Sequence, residues 1–184
     1  MTVRTRSRVV DAWRGAAVVA MVLDHALVAS GHGGSSLRHT VTRAAFPLFA
    51  VTAGAVQRRG GVRWERWLEV LAAGLVATAL GPRVGLGQPD VMLLFAFVLP
   101  VTAFLPGWAR VAVMCAGLIQ PFTWPVPWGG YEPGALLGLV LVGQVVGVEG
   151  LGRWEGWAWM RWVGARPVAA YLGHVAVLVV LYGR

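Results

Sequence analysis

Ionisable residues interrupt two long apolar runs near the start of the chain. Arg14, Asp24 and His25 fall in the first, and Arg43 opens the second. A charge at the centre of a bilayer costs from a few kcal/mol to more than ten, so residues of this kind point to function by default. Arg14 and His25 are eleven positions apart in RGAAVVAMVLDH, which on an α-helix is three turns plus about 20°. They therefore share a face, with roughly 16 Å between them along the axis. An anion held at Arg14 could extend a reactive end toward His25, and Asp11, one turn earlier, can orient the guanidinium. The plainer alternative is that Arg14 anchors the helix at the membrane boundary.

Asp24 and His25 look like a dyad, but neighbours on a helix point about 100° apart and do not face each other. Asp24 is expected to pair across helices, with Arg43 or His174 as candidates. His25 is the better general base, because an imidazole titrates near neutrality. A polar cluster that glues helices together is the bland reading of both. His174 lies inside PVAAYLGHVAVL with Tyr171 one turn before it on the same face, and Pro167 suits the start of that helix. Pro47 lacks an N–H, leaves the carbonyl of Arg43 without its usual partner, and is expected to kink the second segment. Gly54 allows a close helix approach. The loop SGHGGSSLRHTVTR carries His32 and His39, which could meet a substrate arriving from outside; two histidines seven apart are a weak metal pattern. Ligation of haem by His25 and His174 would need the same pairing repeated along the helices, and it is absent. No metal is expected.

The elements that must hold these residues are apolar. Of 184 residues, 57% are hydrophobic and 13% charged, against about a quarter charged in soluble domains. The net charge of +8 comes from sixteen arginines and no lysine. They punctuate apolar runs instead of forming a patch, which excludes nucleic acid as a partner. The single cysteine, Cys115, rules out an intramolecular disulfide. Seven apolar segments stand at about 13–30, 41–57, 67–81, 90–105, 108–122, 134–149 and 167–182, several below the ~20 residues of a perpendicular span. Short Gly- and Pro-rich loops join them. The expected fold is an all-α, polytopic transmembrane bundle of about seven helices, a single domain over 1–184. The basic N-terminus resembles a secretory signal, but Asp24 and His25 inside its apolar core argue for a retained helix.

Arginine bias orients the bundle. With the N-terminus cytoplasmic, only Arg38, Arg43, Arg83 and Arg184 of the sixteen lie outside. The C-terminus then lies outside as well. Tryptophans 13, 64, 67, 108, 154, 157, 159 and 162 fall at the inner boundary and Trp124 and Trp128 at the outer. LGRWEGWAWMRWVG, 151–164, is too polar to span. Leu151, Trp154, Ala158 and Trp162 make one helical face that would lie in the inner interface, an irregular loop being the alternative.

RGAAVVAMVLDH resembles the first-helix motif of the integral-membrane acyltransferases, an Arg followed eleven residues later by a His. The Asp-His pair with RAAFPLFAVTAGA is similar to the TraX (pilin acetylase) branch, and GARPVAAYLGH resembles a late helix of the acyltransferase-three families. The arginine-glycine pair, Pro47-Leu48-Phe49 and Gly54 also look like the heparan glucosaminide acetyltransferase branch. Acyltransferase-three proteins have about ten spans, so this chain is short beside them. The resemblance implies transfer of an acetyl or short acyl group from cytoplasmic acyl-CoA, the donor, to a hydroxyl or amine on a glycan, lipid or protein. It implies His25 as the catalytic base and Arg14 as a donor-phosphate contact; beside these, Asp24 is placed with His25, Asp11 with Arg14, and Arg58 and Arg59 are further candidates for the donor phosphates. It suggests Arg43 and His174 as cavity-lining residues; Tyr171, which shares a face with His174, joins them as a candidate, and His32 and His39 as candidates to meet the acceptor. The implied location is the inner membrane, with oligomers allowed. A small transporter using the same buried cluster, or a non-catalytic membrane subunit, is the alternative.

Overall fold

The computed structural model describes residues 7–32, 44–60, 63–84, 91–123, 133–154 and 156–183, with side chains at all of these but 59–60 and 121–123. Among the described residues the regular structure is helical throughout: α1 (Arg8–Ala29), α2 (Ala45–Gly60), α3 (Trp64–Leu80), α4 (Val91–Phe104), α5 (Gly107–Thr123), α6 (Pro133–Val146), α7 (Ala158–Gly164) and α8 (Pro167–Tyr182). Short 3-10 turns follow α3 at Gly81–Val84 and α6 at Glu149–Leu151.

Local signals explain several boundaries. Ser7 caps α1, its hydroxyl accepting from the Val10 N–H at 3.5 Å, and Asp11 adds a negative charge in the first turn. Pro133 and Pro167 open α6 and α8, where a missing N–H costs nothing. Pro47 does the same for α2. The helix begins at Ala45, so Pro47 sits in its first turn, and Arg43, whose carbonyl it was expected to leave unpartnered, lies outside the described residues. The stripe expected from Leu151 to Trp162 is also broken. Gly152 and Gly156, at φ 78° and 60°, adopt the left-handed conformation, and only Ala158–Gly164 is helical.

Among the described residues two helical stretches are long and apolar enough to cross a membrane: α1, with 22 residues, and Trp64–Val84, with 21. At 1.5 Å per residue α1 is about 33 Å long, close to the ~30 Å of a hydrocarbon core. A third crossing results if α7 and α8, bent by 91° at their junction, are counted together. Helices α4, α5 and α6 are apolar but shorter. The exterior suits lipid: Val180, Trp108 and Phe104 are 84%, 80% and 73% exposed. Meanwhile Asp11, His25, Thr52, Gln57, Thr102 and Gln144 are buried. Polar groups inside and large apolar groups outside invert the soluble pattern and support membrane association.

Helix α1 packs on α2, α7 and α8; α2 lies along α6, which also carries α4 and α5; α3 joins α4 to α8. One apolar cluster joins Val18 and Met21 of α1 to Ala73 of α3 and to Tyr171 and Val175 of α8. Another joins Ala50 of α2 to Leu94 and Phe95 of α4 and to Leu136 and Val140 of α6. Two crossings bring backbones into direct contact. A Cβ on Gly54 would strike the Val140 carbonyl, and one on Gly143 the Val51 carbonyl, so α2 and α6 meet reciprocally. Likewise Gly15 faces the Met160 carbonyl and Gly164 the Asp11 carbonyl, joining α1 to α7.

Proline in α4 exacts a polar partner. Pro100 cannot donate to Ala96, four residues earlier, and the Trp67 indole N–H donates to that carbonyl instead, at 2.6 Å.

Gly143→Val should force α2 from α6 and lower stability by about 1–3 kcal/mol. Gly173→Ala, at a helical position with open space around it, should raise stability by about 0.5–1 kcal/mol. Thermal unfolding of the two variants in detergent checks the contrast.

Candidate functional site

The Gly15–Gly164 crossing decides what α8 can reach. It fixes the start of α8 near the Asp11–Gly15 turn of α1, and α8 then runs beside α1 in the same direction. Seven residues into α8, His174 meets His25. The Nδ1 of His25 and the Nε2 of His174 are 2.7 Å apart, with ring centroids at 5.0 Å and planes inclined by 31°. His25 is 4% exposed. Tyr171 is buried beside both, edge-on, with its ring 5.1 Å from His174 and 6.3 Å from His25.

The partners define the tautomers. His174 Nδ1 lies 3.4 Å from the Ala170 carbonyl, which can only accept, so His174 carries its proton on Nδ1. Its Nε2 is then an acceptor, His25 must donate from Nδ1, and the lone pair of neutral His25 falls on Nε2. This is the arrangement of a base oriented by a second group through its far ring nitrogen. A metal shared by two imidazoles would lie about 2 Å from each nitrogen and hold them more than ~3 Å apart. A separation of 2.7 Å is that of a shared proton. Among the described residues, no group of three or more His, Cys, Asp and Glu gathers as a metal site.

The rest of the α1 stripe faces inward as the spacing requires. Asp11, Val18, Met21 and His25 are buried and Arg14 is half-buried among them. Asp24 is half-buried on a different face. The expected pairing of Asp24 with His174 is not formed, because His174 uses its two nitrogens on His25 and Ala170. His32 lies exposed just beyond α1, where its Nδ1 meets the Ser30 hydroxyl at 3.2 Å, two helical turns past His25 and apart from the pair. Arg58 is exposed and donates to the Val145 carbonyl at 2.7 Å, capping the end of α6. Arg43 and His39 lie outside the described residues, as does the side chain of Arg59.

A second buried polar group went unremarked in the sequence. Gln57 of α2 accepts at Oε1 from Thr102 of α4 at 3.0 Å and from Gln144 of α6 at 2.9 Å, and donates to the Leu99 carbonyl at 2.5 Å. Gln144 Nε2 also lies 3.4 Å from the Thr102 carbonyl, while its Oε1 has no hydrogen-bond partner among the described residues. The signal was available: neutral amides and hydroxyls inside apolar runs, less conspicuous than charges.

Two surface clefts open at the Arg14 end of α1 and neither is lined by the histidines. One, of about 280 Å³, lies between Trp13, Leu48, Val51 and Val146. The other, of about 380 Å³, lies between Trp154, Gly156, Trp157 and Met160. Compared with known protein families, characterised proteins and solved structures, the chain matches none.

The histidine hydrogen bond should register as coupling. His174→Leu removes the acceptor for a buried N–H and should cost about 1–3 kcal/mol. A double-mutant cycle with His25→Leu should return a coupling of at least about 0.5 kcal/mol. Additive losses in chemical denaturation would show that the pair is not bonded.

Proposed function

We propose that the chain is a membrane-embedded acyltransferase that takes an acetyl or short acyl group from cytoplasmic acyl-CoA and delivers it to a hydroxyl or amine. The observation that carries this reading is the buried hydrogen bond between His25 and His174, an imidazole oriented by a second group. The inward stripe from Arg14 to His25 supports it, since a donor held by its phosphates at one end would have its thioester toward the other. The resemblance of RGAAVVAMVLDH, RAAFPLFAVTAGA and GARPVAAYLGH to integral-membrane acyltransferases points the same way.

In this reading the protein crosses the inner membrane several times, about seven in all, with the N-terminus cytoplasmic and the C-terminus outside, the shorter helices drawing the bilayer thinner. His25 Nε2 removes the proton from the acceptor O–H or N–H as the nucleophile attacks the thioester carbon. The tetrahedral intermediate collapses, the C–S bond breaks, and the leaving sulfur takes the proton from His25. The products are the acylated acceptor and CoA thiol. His174 holds the ring and shares the positive charge while the proton resides there. Arg14, oriented by Asp11, meets the donor phosphates, with Arg58 and Arg59 as further contacts. Asp24 and Arg43 would support the site around His25, and His32 and His39 would meet the acceptor.

With labelled acetyl-CoA and reconstituted protein, His25→Ala should lower kcat by about 10²–10⁴-fold, the usual contribution of a general base. Arg14→Gln should act mainly on KM for the donor, raising it about tenfold or more. Normal turnover by His25→Ala would sink the mechanism. Label that never reaches an acceptor would favour a transporter built on the same buried residues.

A further inference from the structure

Neither surface cleft at the Arg14 end is lined by His25 or His174, so the acceptor needs another way to the pair. His25 is buried, but His174 is only half-buried, which gives the pair an exposed side on α8. That side is apolar. From Pro167 to Leu181 the exposed residues of α8 are Ala169, Gly173, Ala176, Val177, Val180 and Leu181. Val177 and Leu181, three and seven positions after His174, lie on its face of the helix and are 56% and 66% exposed. Gly173, beside it in the chain, has open space where a side chain would stand. On α1, between Val9 and Ala29, only Leu23 is exposed. Surfaces of this composition suit lipid. His174 is also the eighth of the sixteen residues of α8, so with α8 across the bilayer its ring stands near mid-depth. An ammonium, a phosphate or a sugar would have to shed its water to arrive there. A single hydroxyl on an apolar chain loses least, and regains a hydrogen bond at the imidazoles.

We propose that the acceptor is a neutral lipid alcohol that enters sideways from the bilayer, across the open flank of α8 at Gly173 and Val177. The inference rests on the acyl-transfer reading above and narrows its acceptor to one chemical class. The acyl donor comes along the α1 stripe from Arg14 and the alcohol from the membrane, so the two substrates meet from different sides. This route does not pass His32, which lies beyond the end of α1. The alcohol oxygen bonds the acyl carbon and the C–S bond breaks. The hydroxyl proton passes through His25 to the leaving sulfur, and the products are a lipid ester and CoA thiol.

The full-length protein in phosphatidylcholine vesicles, given labelled acetyl-CoA, should acetylate oleyl alcohol at least about tenfold faster than equal glucosamine or a lysine peptide. Gly173→Trp, which fills the flank, should lower kcat/KM for oleyl alcohol about tenfold, while circular dichroism shows the variant folded. Independently of turnover, an oleyl alcohol analogue with a diazirine beside its hydroxyl should, on illumination, label the α8 peptide of the wild-type protein. Excess oleyl alcohol should suppress that label. Transfer to the soluble amines but not to oleyl alcohol overturns this inference and leaves the acyltransferase standing. Transfer to no acceptor overturns both. Undiminished transfer in folded Gly173→Trp, or label spread evenly over the lipid-facing helices, overturns the sideways route.

Discussion

The close crossing of α1 and α7 is the constraint on which the arrangement depends. Gly15 and Gly164 let the two backbones touch, and a side chain at either would push them apart. With α7 held there, the turn into α8 delivers a helix parallel to α1, and residues distant in sequence come to the same depth. His25 and His174 are 149 positions apart along the chain. Their meeting is thus a consequence of two glycines that do no chemistry. The α2–α6 crossing at Gly54 and Gly143 plays the corresponding part in the other half, bringing Gln57 and Gln144 within hydrogen-bonding reach.

An apolar surrounding explains why the polar groups appear in sets. Where water cannot reach, each donor and acceptor must find a protein partner or carry the cost of its desolvation. The carbonyl freed by Pro100 receives the Trp67 indole, the end of α6 receives Arg58, and the amide of Gln57 finds partners on α4 and α6. Gln144 Oε1 is the exception among them.

Helix positions were legible in the sequence because they follow from apolar run length and from punctuation by proline and glycine. That Arg14 and His25 share a face of α1 followed from the 3.6-residue period alone, whereas the burial of Asp11 and His25 depends on the packing. Gly54 as a point of close approach was legible too, though its partner Gly143 was not, since pairing depends on which helices become neighbours. The histidine pair was out of reach for the same reason: each residue was visible as unusual, but only tertiary packing decides that His174 faces His25 and not Asp24. Pro47 shows the limit at a boundary, where a shift of a few residues decides whether a proline falls in the first turn of a helix or inside it. In the tryptophan-rich stretch, periodicity suggested a continuous helix, but the left-handed glycines at 152 and 156 interrupt it.

The hydrogen bond from His174 to the Ala170 carbonyl gives the buried pair a closed end. A proton arriving at His25 Nε2 can move one step, through Nδ1, to His174. Beyond His174 lies a backbone carbonyl, which accepts a hydrogen bond but does not relay a proton onward. His174 thereby ties the ring of His25 to the backbone of α8, so the two rings keep their register only while the last turn before His174 stays helical.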